Sequence, residues 1–252
     1  MVELREFVEW LDKEIEITSV PDKCVNGLQV EGKSDIKNVG VCVDLTLGVL
    51  NKAIEQKCDM LVSHHALFWE PLQEFKGLLA KKLQLIMKND LSVYTAHLPL
   101  DIHKRYSHGR LITNEIGMHG VSRFGLDGDP KDDKNYFGFS GNLRKKLTIE
   151  ELKELVDKKL STNSRTFPYG TKEISSVAIV SGGGGFALEE AWEKKLDCYI
   201  TGEMKDSRLL DAKDFGINII LAGHSETEKL GLIKLSQSIT KKFKTQCFFF
   251  DS

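Results

Sequence analysis

Short apolar runs in this chain end repeatedly on histidine or carboxylate, and those ends hold the residues most able to do chemistry. Met60-Leu61-Val62-Ser63 runs into His64-His65. Leu91-Ser92-Val93-Tyr94-Thr95-Ala96 runs into His97, with Asp101 four residues on. Asn218 to Gly223 runs into His224, with Glu228 four residues on. Val39 to Val43 ends on Asp44, and Cys198-Tyr199-Ile200-Thr201-Gly202 ends on Glu203. Neutral imidazoles mixed with carboxylates suit Zn²⁺, Mn²⁺, Fe²⁺, Co²⁺ or Ni²⁺. The set is too large for one open tetrahedral site. It points to two ions about 3.5–4 Å apart sharing a carboxylate, as in two-metal hydrolases.

Each residue alone has a plainer explanation. One of His64 and His65 suits a hydrogen-bonded core position and the other an exposed one. His224 and Glu228 share a face of a helix at i, i+4. Ser225-Glu226-Thr227-Glu228 equally spells a capping box, in which Glu228 bonds back to its own helix start. Gly182-Gly183-Gly184-Gly185 suits a tight strand-to-helix turn better than a phosphate cradle. It lacks the Lys-Ser/Thr of a P-loop and the spacing of a dinucleotide fingerprint. No nucleophile elbow is present.

The elements needed to position these residues are legible as a rhythm. A helix beginning at Leu4 should end before Pro21. Asn26-Gly27 is a turn signal feeding a short strand. Strands at 39–43, 60–63 and 91–96 alternate with helices at about 49–54 and 78–87, and Pro99 should stop the third strand. Residues 121–147, rich in Gly, Asp, Lys and Asn, read as the least regular part. They contain an edge strand at Tyr136-Phe137-Gly138-Phe139, and a capping box at Thr148-Ile149-Glu150-Glu151 then opens a helix. Strands at 176–180, 198–201 and 218–221 repeat the rhythm, and Cys247 to Phe250 closes the chain. The expected fold is α/β: two related three-layer lobes with mostly parallel sheets, residues 1–125 and 126–252, with the chain able to cross back at its C-terminus. Ligands at strand carboxyl ends would meet in the cleft between the lobes.

Composition narrows the classes. Hydrophobic residues at 41% and charged residues at 29% of 252 predict packed domains rather than disorder. A net charge of -2 gives no global pull toward nucleic acid or anionic membrane. No apolar run approaches the ~18–20 residues of a membrane span, and the N-terminus is unlike a signal peptide. The five cysteines are odd in number and form no C-x-x-C pair, which predicts reduced thiols in the cytoplasm.

The motifs Asn26-Gly27-Leu28-Gln29-Val30, Asp44-Leu45-Thr46, Ser63-His64-His65, His97-Leu98-Pro99-Leu100-Asp101, Thr201-Gly202-Glu203 and Gly223-His224-Ser225-Glu226-Thr227-Glu228 span nearly the whole chain. In this order they resemble the NIF-three-like family of GTP cyclohydrolase I type 2 homologues, in its short form. The resemblance implies a dinuclear metal centre held by His64, His65, Asp101, His224 and Glu228, with Glu228 bridging and His97 beside them. It also implies a ring-shaped homohexamer. Many members place a histidine soon after Thr-Gly-Glu, whereas Met204-Lys205-Asp206-Ser207 has none.

Two functions follow. The first is a metal-dependent hydrolase acting on a nucleotide or related heterocycle, with GTP cyclohydrolase as the named candidate and Glu203 or His97 shuttling the proton. The second is a metal-stabilised ring that binds protein or nucleic acid without turnover, through Arg144-Lys145-Lys146 or Lys241-Lys242-Phe243-Lys244. The net charge disfavours nucleic acid as the main partner.

Overall fold

Alternate residues of the same strands face opposite sides of a sheet, and in this chain both sides are apolar. The structure, a computed structural model, describes residues 2–71 and 74–251. It divides into two units, Met1–Tyr106 with Gly231–Ser252, and Ser107–Leu230. The first unit is therefore completed by the end of the chain, and the division falls at 106/107 rather than at the 125/126 expected above.

In the first unit a five-stranded sheet runs in the order Gln246–Phe250, Asn38–Cys42, Met60–Ser63, Ser92–Thr95, Gly27–Val30. The first four strands are mutually parallel, and Gly27–Val30 is antiparallel to its neighbour. Val39, Val41, Met60, Val62 and Tyr94 pack on one face against Phe7, Leu11 and Ile15 of the helix Leu4–Ile15 and against Leu232, Leu235 and Ile239. Cys42, Leu61 and Val93 pack on the other face against Val49, Leu50 and Ala53 of the helix Leu47–Glu55, and against Ile86. This is a three-layer unit with a largely parallel sheet.

The second unit holds a six-stranded sheet in the order His119–Leu126, Tyr136–Leu147, Ile174–Val180, Cys198–Thr201, Asn218–Leu221, Arg165–Phe167. Only the pairings on either side of Cys198–Thr201 are of βαβ type: Ile174–Val180, Cys198–Thr201 and Asn218–Leu221 are parallel, and the outer strands are antiparallel. The sheet is thus mixed, which corrects the expectation of a mostly parallel one here. Residues 121–147 are also more regular than expected. They form most of a long antiparallel hairpin, and Tyr136–Leu147 is an interior strand rather than an edge. Its Arg144, Lys145 and Lys146 are exposed while Leu143 and Leu147 are buried. The charged run hid the strand from a hydrophobicity reading. The Thr148 capping box is present, with Thr148 N–H donating to Glu151 and Glu151 N–H donating to Thr148.

One device recurs in both units. Lys57 and Lys195 adopt left-handed conformations with φ of 54° and 53°, and each is followed two residues later by an aspartate. Asp59 accepts from the N–H groups of Lys37 and Asn38. Asp197 accepts from N–H and Oγ of both Ser175 and Ser176, at 2.8–2.9 Å. Each carboxylate ties the start of its strand to the neighbouring one. Burial opposes the Asp197 charge, but the Ser175 and Ser176 hydrogen bonds overcome it and hold the carboxyl below its ordinary range. Its contribution to stability is therefore full above an unfolded value near ~4 and fades as pH falls through the lower folded value. Asp197→Ala should cost about 2 kcal/mol at pH 7, with a much smaller difference from wild type near pH 2. Urea unfolding at the two pH values measures both.

All five cysteines are free thiols, and burial pushes Cys24 and Cys58 up to about 12. No helix among the described residues is long and apolar enough to cross a membrane.

Candidate metal centre

In the first unit the central strand Met60–Ser63 delivers the histidines. Its pairing continues past the last strand residue: His64 N–H donates to Cys42 O at 3.0 Å and His65 N–H to Val43 O at 2.9 Å. The backbone of both histidines is thereby fixed, and their side chains are fixed separately. His64 Nδ1 meets Ala96 O at 2.9 Å, His65 Nδ1 meets Asp44 Oδ1 at 2.7 Å, and His97 Nδ1 meets Asp22 Oδ2 at 2.9 Å. Carbonyls and carboxylates only accept, so each Nδ1 carries the proton and each Nε2 is left as a donor of its lone pair. Imidazoles that bind metal are oriented this way, by a partner on the other nitrogen. One ligand atom from each of His64, His65 and His97 lies within 4.8 Å of the others.

Asp101 joins this group from the short helix Leu98–Ile102. The strand ends at Thr95, before Pro99, and Pro99 falls in the first turn of that helix, where its missing N–H costs nothing. The helix carries Asp101, 8% exposed, to 3.6 Å from His64 Nε2.

Of the residues that orient His97, Asp22 carried no sequence signal of its own, whereas Asn26 belongs to the Asn26-Gly27 turn. Asp22 accepts from His97, from the N–H groups of Cys24 and Leu98, and from Asn26 Nδ2. Burial alone would raise its carboxyl, but these donors, led by His97, hold it down at about 2. Asn26 accepts the His97 backbone N–H at 2.8 Å. Gln29 Oε1 accepts from Leu67 and Phe68 N–H, just past the histidine pair. The Asn26-Gly27 turn signal thus belongs to a segment that braces the site.

In the second unit three strand ends converge. His224 begins the single helical turn His224–Thr227, with Gly223 at its N-cap. Ser225 lies inside that turn, so Gly223 and not Ser225 stands at its N-cap. His224 Nδ1 lies 3.1 Å from Glu203 Oε1, and Nε2 lies 3.3 Å from Glu228 Oε1. Glu228 is 4% exposed, whereas the Glu203 side chain is 65% exposed. Glu203 therefore stands behind His224, on the nitrogen away from Glu228.

Glycine makes this packing possible. Gly182 has φ 61°, and a Cβ there would lie 2.2 Å from Glu228 Oε1 and 3.1 Å from His224 Nε2. A Cβ on Gly202 would lie 2.7 Å from Gly182 O and 2.8 Å from Gly223 O. Thr227 Oγ1 closes the group, accepting from Gly182 N–H at 2.9 Å. The first glycine of the Gly182–Gly185 run is thus shaped around the His224–Glu228 pair.

The donor chemistry fits a divalent ion in each unit. An Nε2 lone pair facing a carboxylate oxygen is repulsive unless a cation stands with them. Two ligands bonded at ~2.0–2.2 Å to one tetrahedral ion are about 3.3–3.6 Å apart. The pairs His64–Asp101 and His224–Glu228 stand at 3.6 and 3.3 Å.

Known proteins carry the same architecture along the whole chain. A protein of Pyrococcus abyssi named "GTP cyclohydrolase 1 type 2 homolog" is 35% identical over 252 residues, covering 100% of this chain and 98% of its own. The crystal structure of TTHA1606 from Thermus thermophilus superposes with a TM-score of 0.88 at 27% identity, covering 100% of this chain and 98% of the other. The protein ybgI, of unknown function, shares the fold with a TM-score of 0.90 at 24% identity, with coverage of 100% and 98%. The model of the Duf34/NIF3 (NGG1p interacting factor 3) family matches residues 2–252. This chain belongs to the Duf34/NIF3 family.

Proposed function

We propose that His64, His65, Asp101, His224 and Glu228 hold two divalent ions, with Glu228 bridging, and that the centre hydrolyses a nucleotide or related heterocycle in the manner of a GTP cyclohydrolase. The supporting observation is the double use of the His64 and His224 imidazoles. Nδ1 of His64, His65 and His224 faces a fixed carbonyl or carboxylate, and in two of the three Nε2 faces a ligand-type carboxylate at 3.3–3.6 Å. The names of the Pyrococcus abyssi relative and of its counterparts support the reaction class.

Bound there, the ions would supply Lewis acidity and lower the pKa of a water. The chain's own residues do the rest. His97 exchanges the proton at Nε2, while Asp22, kept ionised, holds the ring's tautomer and orientation and stabilises its charged form. Glu203 orients His224 and, being exposed, also passes protons to solvent. In GTP ring opening, water adds at C8 of the guanine, hydrolysis of the two C8–N bonds consumes two waters and protonates both nitrogens, and C8 leaves as formate.

The same proposal includes self-assembly as a hexameric ring. Trp192 and Leu210 remain 49% and 66% exposed and offer apolar surface for a second copy. The scaffold alternative gains less support: Lys146 of its first basic cluster is paired with Glu173 at 2.9 Å.

Formate release from GTP by the metal-loaded chain tests the reaction. His97→Ala should lower kcat by ~10²–10⁴-fold with metal content unchanged. A fully loaded protein that releases no formate and no other hydrolysis product from a panel of nucleotides would favour the scaffold.

A further inference from the structure

We infer that the cavity beside the glycine run is a subsite for the phosphate and ring of a nucleoside phosphate, an assignment that rests on the hydrolase reading and extends it to how substrate is held. The cavity has a volume of about 570 Å³ and lies wholly within the second unit. That is the size of a site for a small-molecule ligand. Glu203 forms part of its wall and also touches His224, so the cavity adjoins the His224–Glu228 pair.

Its wall offers groups that suit an anion and groups that suit an apolar ring. Two cationic side chains line it, Lys205 and Arg208. Arg208 is already committed: its guanidinium is paired with Glu189 and Asp211 and donates to Gly185 O. Lys205 is exposed and has no ion-pair partner among the described residues, which leaves its charge for a ligand. The backbone adds donors. The N–H groups of Gly182 and Gly184 go to Thr227 and Thr201. Those of Gly183 and Gly185, both on the cavity wall, meet no acceptor among the described residues. The Gly185 N–H and Lys205, on the wall of one cavity, suit a phosphate oxygen, whereas Gly183 lies beside Glu203 Oε1.

Phe186 and Met204 are the apolar groups. Phe186 is 45% exposed and meets Phe137 edge-on at 6.4 Å, which steadies the ring and leaves a face open. Such a face stacks a purine whatever its exocyclic groups. The Glu203 carboxylate would repel a phosphate, so the phosphate belongs at the Lys205 end and the ring nearer Phe186.

The test is calorimetric titration of the full chain with GTP, guanosine and inorganic triphosphate, first stripped of metal with a chelator and then loaded. Metal-free wild type should bind GTP. Lys205→Glu should weaken GTP and triphosphate by ~10-fold or more and leave guanosine little changed. Phe186→Ala should weaken GTP and guanosine by ~5-fold or more and leave triphosphate little changed. Both side chains are exposed, so circular dichroism and metal content should match wild type. The inference is overturned if metal-free protein does not bind GTP at ~1 mM, or if both variants bind it as wild type does. Failure of the hydrolase reading looks different: GTP is bound with the expected variant sensitivities, and no product forms on loading.

Discussion

Glu228→Gln should reduce bound metal from two equivalents per chain to one or none, while the far-ultraviolet circular dichroism stays that of wild type. The substitution keeps the volume of the side chain and removes only its charge. Glu228 is 4% exposed and its Oε1 is 3.3 Å from His224 Nε2, so little water is at hand to replace the lost charge. In the proposed centre it alone offsets charge on both ions, whereas each histidine serves one. Removing one partner from a buried set of charges costs ~3–5 kcal/mol, a loss of affinity of ~100-fold or more. His97→Ala is the control, since His97 stands beside the ligands, and it should keep both equivalents. Elemental analysis of the two variants decides the matter. Two equivalents retained in Glu228→Gln would remove the bridge from the account.

Gly182→Ala should have a comparable effect with every proposed ligand residue left in the sequence. The added methyl meets two obstacles. Gly182 sits at φ 61°, where an L side chain costs ~1–2 kcal/mol. Its Cβ would fall 2.2 Å from Glu228 Oε1, so the carboxylate must move. Overpacking of this kind adds ~1–3 kcal/mol. The protein should therefore melt at lower temperature and lose metal from the His224–Glu228 pair. Gly183→Ala separates these effects from a general sensitivity of the loop. At that neighbouring position the nearest atom to a Cβ is Glu203 Oε1, at 3.8 Å. Gly183→Ala should keep its metal, and equal loss in both variants would mean that the loop tolerates no side chain at all.

The sequence made the strand ends legible because burial and chemistry change abruptly there. Four apolar or small residues followed by two histidines can be read without neighbours, and Met60–Ser63 is indeed fully buried. The parallel pairing of 39–43, 60–63 and 91–96 followed from the helices between them. Other features depended on partners far along the chain. Asp22 orients His97 across 75 residues, and Gln29 braces Leu67 across 38. Nothing local marks Asp22, and Gln29 lay in a quoted motif without its distant partner being legible. Residues 121–147 misled for a different reason. Half of the strand Tyr136–Leu147 carries its polar residues on an exposed stretch, so its pattern resembles a loop until it pairs with His119–Leu126 and Ile174–Val180. Glu228 lay between two motifs, a metal pair and a capping box, and the pentapeptide His224 to Glu228 alone does not choose between them.

The most direct test of the central claim is an anomalous diffraction map from crystals of the metal-loaded chain, collected at the absorption edge of the loaded ion. Two peaks about 3.5–4 Å apart are expected. They should be bonded to Nε2 of His64, His65 and His224 and to the carboxylates of Asp101 and Glu228, with Glu228 reaching both. A map with no peak at these side chains, or with its only peak at the Asp22–Cys24–His97 cluster, would contradict it.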